Sequence, residues 1–191
     1  NETVMFRHEK TFFHRPGLFL RVKDTDGVEA IKAAVSSADA YMVNYVGMDL
    51  TLDGFAVEAA SGDATAFGAA ISAVREVSDR PLVLMSADPA LMEAGLEAAE
   101  GMTPLLHSAN AENWEAMADL AKKAETALGV EAGTLEGLAE LTEKIQGKGV
   151  EDMVLHPTGQ GMSTSLALQT QIRRLALKNF RPLGYPTIAF A

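Results

Sequence analysis

Cysteine is missing from all 191 residues. That excludes disulfides, thiolate zinc sites, cysteine-ligated iron–sulfur clusters and cysteine nucleophiles within this chain, and it fits a cytoplasmic protein. Basic residues are scarce beside acidic ones: 16 Lys plus Arg against 26 Asp plus Glu, a net charge of −10. A surface so acidic repels phosphate backbones and anionic lipid, which argues against nucleic acid and membrane as partners. No apolar run approaches the ~20 residues that cross a bilayer. No signal-peptide pattern opens the chain, which starts at Asn1. Aromatics make up only 6%, with one Trp, so a core must be built chiefly from aliphatic side chains. Apolar residues are plentiful at 48%, enough for one substantial core and a single domain over residues 1–191.

The most legible stretch is Arg80 to Ala109. Leu82-Val83-Leu84-Met85 is a short apolar run of the kind buried on both faces of a parallel sheet. Asp88 then offers an N-cap side chain and Pro89 sits at N1, where a missing N–H costs nothing. Leu91, Met92, Gly95, Leu96 and Ala99 form one helical stripe, which Gly101 ends. A second run, Pro104-Leu105-Leu106, stops at His107. Strand, helix and parallel strand follow in order, and most of the chain repeats this unit.

Further strands are expected at Gly17–Val22, Phe55–Ala59, Thr126–Val130, Met153–Leu155 and Thr187–Phe190, with helical stripes between them that Asp63, Asn110 and Thr134 cap. Thr3–Phe6 and Gly17–Val22 read as an N-terminal hairpin whose second arm enters the sheet. Tyr41–Leu52 is apolar but fits neither period, and is read as a helix end plus a connector. Strand centres recur roughly 22 to 37 residues apart, which implies a parallel sheet covered by helices. A doubly wound sheet and a TIM-type (βα)8 barrel both fit. Asp24-Thr25-Asp26-Gly27 after the first sheet strand is not a Gly-rich phosphate loop, and polar residues recur at the strand ends all round the series. Both features favour the α/β barrel, with seven strands readable where eight are needed. Ending on a buried-strand pattern, the chain reads as a fragment of a longer protein.

In such barrels chemistry sits at the C-terminal strand ends. Here those ends carry Glu58, Ser86, His107, Glu131 and His156, a set able to act as metal ligands or as general acid and base. The plainer reading has each histidine bonding a loop carbonyl and Ser86 leading into a helix cap, since fold alone implies no chemistry. No pair has the i, i+4 spacing of a helical zinc site, so no metal is assigned. Arg7, His8, Lys10, Phe12 and Phe13 form a concentrated basic-aromatic segment, a docking surface for a partner or equally a plug at the barrel floor.

The segments TVMFRHEKT (3–11) and QTQIRRLALKNFRPLGYPTIAF (169–190) resemble the large (gamma) subunit of the corrinoid iron–sulfur protein. So do RPLVLMSADPALMEAGLEAA, NWEAMADLA and LEGLAELTEKIQGKGVEDMVLHP between them. The resemblance spans the chain. It implies the central TIM barrel of that subunit, with a cysteine-bound [4Fe-4S] domain upstream and a cobamide-binding domain downstream, and no cofactor bound within this chain. It implies a part in methyl transfer from a methyl-tetrahydropterin to acetyl-CoA synthase. The implied partners are the small (delta) subunit, the methyltransferase and acetyl-CoA synthase. It brings no catalytic residue to this barrel.

Three functions follow as expectations. The first is a non-catalytic scaffold and interaction barrel. The second is a pterin-binding methyltransferase barrel using Glu58 or Glu131 as the carboxylate that accepts paired hydrogen bonds. The third, by fold analogy, is a metal-dependent lyase using His107 and His156.

Overall fold

A computed structural model describes residues 16–159 and 161–190. Eight strands and six helices follow one another: β1 (Phe19–Lys23), α1 (Val28–Asp39), β2 (Met42–Tyr45), β3 (Met48–Thr51), β4 (Gly54–Glu58), α2 (Ala64–Arg75), β5 (Leu82–Met85), α3 (Pro89–Ala98), β6 (Leu105–Ala109), α4 (Trp114–Lys123), β7 (Leu128–Ala132), α5 (Leu135–Gly147), β8 (Met153–Pro157) and α6 (Gly161–Leu177). The capping chemistry decides where helices begin. Asp63, Asp88 and Thr134 side chains accept from Thr65, Ala90 and Gly137 backbone N–H groups, and Pro89 occupies N1 of α3. Asn110, read as a cap, instead holds the turn before α4, accepting from the N–H groups of Glu112 and Asn113. No helix among the described residues is long and apolar enough to cross a membrane.

Six parallel strands form one sheet in the order β1-β4-β5-β6-β7-β8. The order never reverses, as it must in a doubly wound sheet, and successive crossovers advance in one direction, the topology of a barrel. A seventh position is started by Thr187, which bridges Leu155 in parallel, with Leu155 N donating to Pro186 O and Ile188 N to Leu155 O. The strand expected over Thr187–Phe190 is thus reduced to one bridge. The curl is visible in side chains: Phe190 reaches the rings of His107 on β6 and His156 on β8 and also the guanidinium of Arg21 on β1. First, middle and last strands meet over one point only if the sheet wraps.

Alternation sorts the strands. Val22, Phe55, Val57, Leu82, Leu84, Leu106, Leu128, Val130, Met153 and Leu155 are buried against helix residues such as Ile31, Phe67, Ile71, Met92, Met117, Leu138 and Ile145. The residues between them face the barrel interior. Gly95 on α3 admits close packing, because a Cβ there would lie 2.5 Å from the Phe67 ring and 3.3 Å from Leu84.

Residues 42–51 correct the sequence reading. They form an antiparallel hairpin outside the main sheet, β2 on β3, not a helix end and connector. Its two-residue turn has positive φ at both Val46 and Gly47, 50° and 76°, as primed hairpin turns require. At the root, Arg80 bonds the Asp39 carboxylate at the end of α1 and the Leu52 carbonyl. The hairpin defied periodicity because it has no buried face: Tyr41, Met42, Val43, Tyr45, Val46, Met48 and Leu50 are all exposed. The hairpin arm expected at Thr3–Phe6 and the segment Arg7, His8, Lys10, Phe12 and Phe13 lie outside the described residues.

Overpacking at the helix–sheet seam predicts that Gly95→Val costs roughly 1–3 kcal/mol. Urea unfolding should show a lower midpoint at unchanged slope.

Candidate functional site

Lateral register assembles the barrel mouth. Glu58 aligns with Met85 and Met85 with His107, while Glu131 aligns with His156. Each shares the interior-facing parity of its strand, so four of the five expected strand-end residues face one opening. The strands run further than their apolar runs suggest: β6 includes His107, Ser108 and Ala109, and β7 and β8 extend through Glu131 and His156. The backbone ladder, rather than a loop, therefore aims these side chains.

His107 Nε2 and His156 Nδ1 lie 3.1 Å apart. The Glu131 carboxylate is 3.6 Å from His156 Nδ1, an ion-pair rather than a hydrogen-bond distance, and accepts a hydrogen bond from the Ser108 hydroxyl. The donor atoms of His107, Glu131 and His156 all lie within 4.8 Å of one another. Phe190 closes over them, edge-on to both imidazoles at 5.1 and 5.0 Å between centroids. The Arg21 guanidinium stands 5.9 Å from that ring and 3.6 Å from Glu58. Glu58 Oε2 is buried and accepts no hydrogen bond among the described residues.

The electrostatics follow from burial and neighbours. Burial first, then the adjacent His156, pushes the His107 pKa down to about 4. Contact with His156 holds Glu131 down at about 2; burial opposes this and the Ser108 hydroxyl reinforces it. At neutral pH the mouth therefore holds a neutral, buried imidazole beside an ionised carboxylate. Arranged this way it can accept hydrogen bonds, hold a cation, or simply lock three strands together.

Ser86 is the strand-end residue that does not join. Its hydroxyl accepts from the Asp88 N–H and shapes the entry to α3. Ser108, Phe190, Arg21 and Gly129 belong to the mouth and were not singled out in the sequence. Gly129 alone left a signal, as a glycine inside a strand pattern. A Cβ there would lie 3.0 Å from the His107 ring and 3.1 Å from the Leu106 carbonyl.

The two depressed pKa values fix a pH dependence. His107 is protonated more readily unfolded than folded, so its contribution is complete above pH ~6.5 and is lost as pH falls towards ~4. Glu131 contributes fully above pH ~4.5 and loses its contribution as pH falls towards ~2. Urea midpoints measured with chelator present should fall through the upper window in the wild type. That part of the fall should be absent in His107→Gln.

Among solved structures, this fold is similar to dihydropteroate synthase from Thermus thermophilus, with a TM-score of 0.62 and 18% identity over 98% of this chain and 76% of that one. It is also similar to 7,8-dihydropteroate synthase from Vibrio fischeri, with a TM-score of 0.64 and 14% identity over 98% and 77%. These are TIM barrels, and at such identity the likeness concerns the fold. In sequence, the chain is 38% identical over 190 residues to the corrinoid/iron-sulfur protein large subunit of Moorella thermoacetica, covering 99% of this chain and 43% of that protein. It is 36% identical over 193 residues to acetyl-CoA decarbonylase/synthase complex subunit gamma 2 of Methanosarcina mazei, covering 98% and 41%. The chain thus spans about two fifths of the length of these relatives. A family model described as CO dehydrogenase/acetyl-CoA synthase delta subunit matches residues 1–191, and the chain belongs to that family.

Proposed function

We propose that residues 1–191 are the scaffold and interaction barrel of a corrinoid iron–sulfur methyl-carrier subunit. The parent protein takes part in passing a methyl group from a methyl-tetrahydropterin to acetyl-CoA synthase, and this barrel holds its partners in place. The relatives' names support the parent assignment. The iron–sulfur cluster finds no thiolate ligand in a chain without cysteine, so a cysteine-bound cluster of the parent protein takes its ligands from outside these residues.

The observation that carries the interaction role is the β2–β3 hairpin. Its register puts Val43, Tyr45, Met48 and Leu50 on one exposed apolar face, with Tyr45 63% exposed and Val46 at the tip 80% exposed. A two-stranded ribbon is barely stable alone in water, and a contiguous apolar patch this size marks a binding surface. Val46 adds to this. A β-branched residue at positive φ is an outlier, where Asn would be easier, so the tip keeps an apolar group against its backbone preference. The occupant we assign is the small (delta) subunit. A family description written for a delta subunit fits this chain end to end, although its curated relatives are gamma and large subunits. That accords with two related barrels packing together.

A pterin-binding barrel is the second reading, favoured by an ionised Glu131 at the mouth. Against it stand Phe190, which lies over that opening, and the engagement of the carboxylate by Ser108 and His156.

Replacing Tyr45 and Val46 with Asp in the full-length subunit should weaken association with the small subunit by at least roughly 100-fold, since buried apolar anchors dominate such interfaces. The melting temperature of the subunit alone should stay unchanged. Unaltered association would remove the hairpin from the interface. Titration of the same protein with methyl-tetrahydrofolate should give no binding isotherm; tight binding lost on Glu131→Ala would establish the pterin reading instead.

A further inference from the structure

The mouth cluster has the geometry of an ion site. We propose that His107, Glu131 and His156 bind one divalent first-row transition ion of the zinc type, which ties β6, β7 and β8 together at the barrel mouth. An ion with bonds of about 2.0–2.2 Å to nitrogen and oxygen, at tetrahedral to octahedral angles, separates adjacent donors by roughly 3–3.5 Å. The imidazole nitrogens here are 3.1 Å apart and the His156 nitrogen is 3.6 Å from the carboxylate oxygen. All three donor atoms lie within 4.8 Å of one another, so a single ion draws the His107 and Glu131 donors together through side-chain rotation.

The setting supports more than a chance approach. The three ligands come from three neighbouring strands, Glu131 and His156 directly paired and His107 at the point where β6 shifts register against β7 between Leu106 and Ala109, so the site exists only in the folded barrel. Ser108 donates to the Glu131 carboxylate and orients it, the part an outer-shell hydroxyl plays around a ligand. Gly129 leaves the room in which the His107 ring lies. Two imidazoles and one carboxylate suit zinc and its first-row neighbours, and are poorly matched to magnesium or calcium, which take oxygen ligands. Phe190 lies edge-on against both imidazoles and shields them from one side. The ion acts here as a clamp between strands, in keeping with a barrel that supports other modules.

The test uses the full-length subunit, stripped with chelator, dialysed against zinc sulfate and then against buffer. Bound zinc is measured by mass spectrometry of the metal. His156→Gln and Glu131→Gln serve as ligand variants, because both side chains are partly exposed, and far-UV circular dichroism checks that each keeps the fold. Wild type should retain one zinc per chain more than either variant, which subtracts zinc held elsewhere in the protein. Zinc should raise the melting temperature of wild type and of neither variant. Ser108→Ala should keep the stoichiometry and weaken affinity by roughly 10- to 100-fold. Equal zinc in wild type and ligand variants, or a melting temperature that zinc moves equally in all three, overturns the proposal.

Discussion

Everything in this molecule depends on the lateral register of its parallel strands. A strand exposes alternate residues to opposite faces, and a slip of one residue would exchange them all. Here the helix-facing set is almost wholly aliphatic: Val57, Leu84, Leu106, Leu128, Val130 and Leu155 are buried against the helices. Each aliphatic side chain buried this way is worth roughly 1.5–3 kcal/mol, so the register is fixed by one or two such terms on each strand and by their sum over the sheet. The polar residues of the opposite parity have no choice but to meet inside the mouth. Their convergence is a consequence of where the Leu and Val side chains must go.

How much of this was legible follows from the same physics. Helix starts at Asp63, Asp88 and Thr134 were readable because capping is local chemistry, settled within three residues. Five strand-end residues were readable as a set because apolar runs end visibly in the sequence. That His107 and His156 lie 3.1 Å apart was not. The spacing depends on pairing between strands 49 residues apart, and on a strand that continues past its apolar run. Ser86 looked equivalent to the others and is not, because its hydroxyl is drawn into the turn before α3. Phe190 was read as part of a strand, and acquires its role only when the sheet curls and brings β1, β6 and β8 to the same place.

The hairpin over 42–51 was illegible for the opposite reason. Periodicity reports a contrast between a buried face and a wet one. Residues 41–50 have no buried face within this chain: the apolar face, Val43, Tyr45, Met48 and Leu50, is as exposed as the opposite face that carries Asn44 and Asp49. The root is firmly tied to the barrel by Arg80, Asp39 and the Leu52 carbonyl, so the arm is held out from a rigid base. Mouth and arm thus divide the molecule: one end filled by its own side chains, and one projection unsatisfied until it is covered.

Amide hydrogen exchange tests that division most directly, measured on the full-length subunit alone and again mixed with the small subunit proposed to cover the arm. In the free protein the amides of β4 to β8 should exchange slowly, while those of residues 42–51 exchange far faster. Complex formation should slow the hairpin amides by orders of magnitude and leave the sheet unchanged. A hairpin that exchanges at the same rate in both states would contradict an arm built to be covered, and with it the view of this barrel as a platform for its partners.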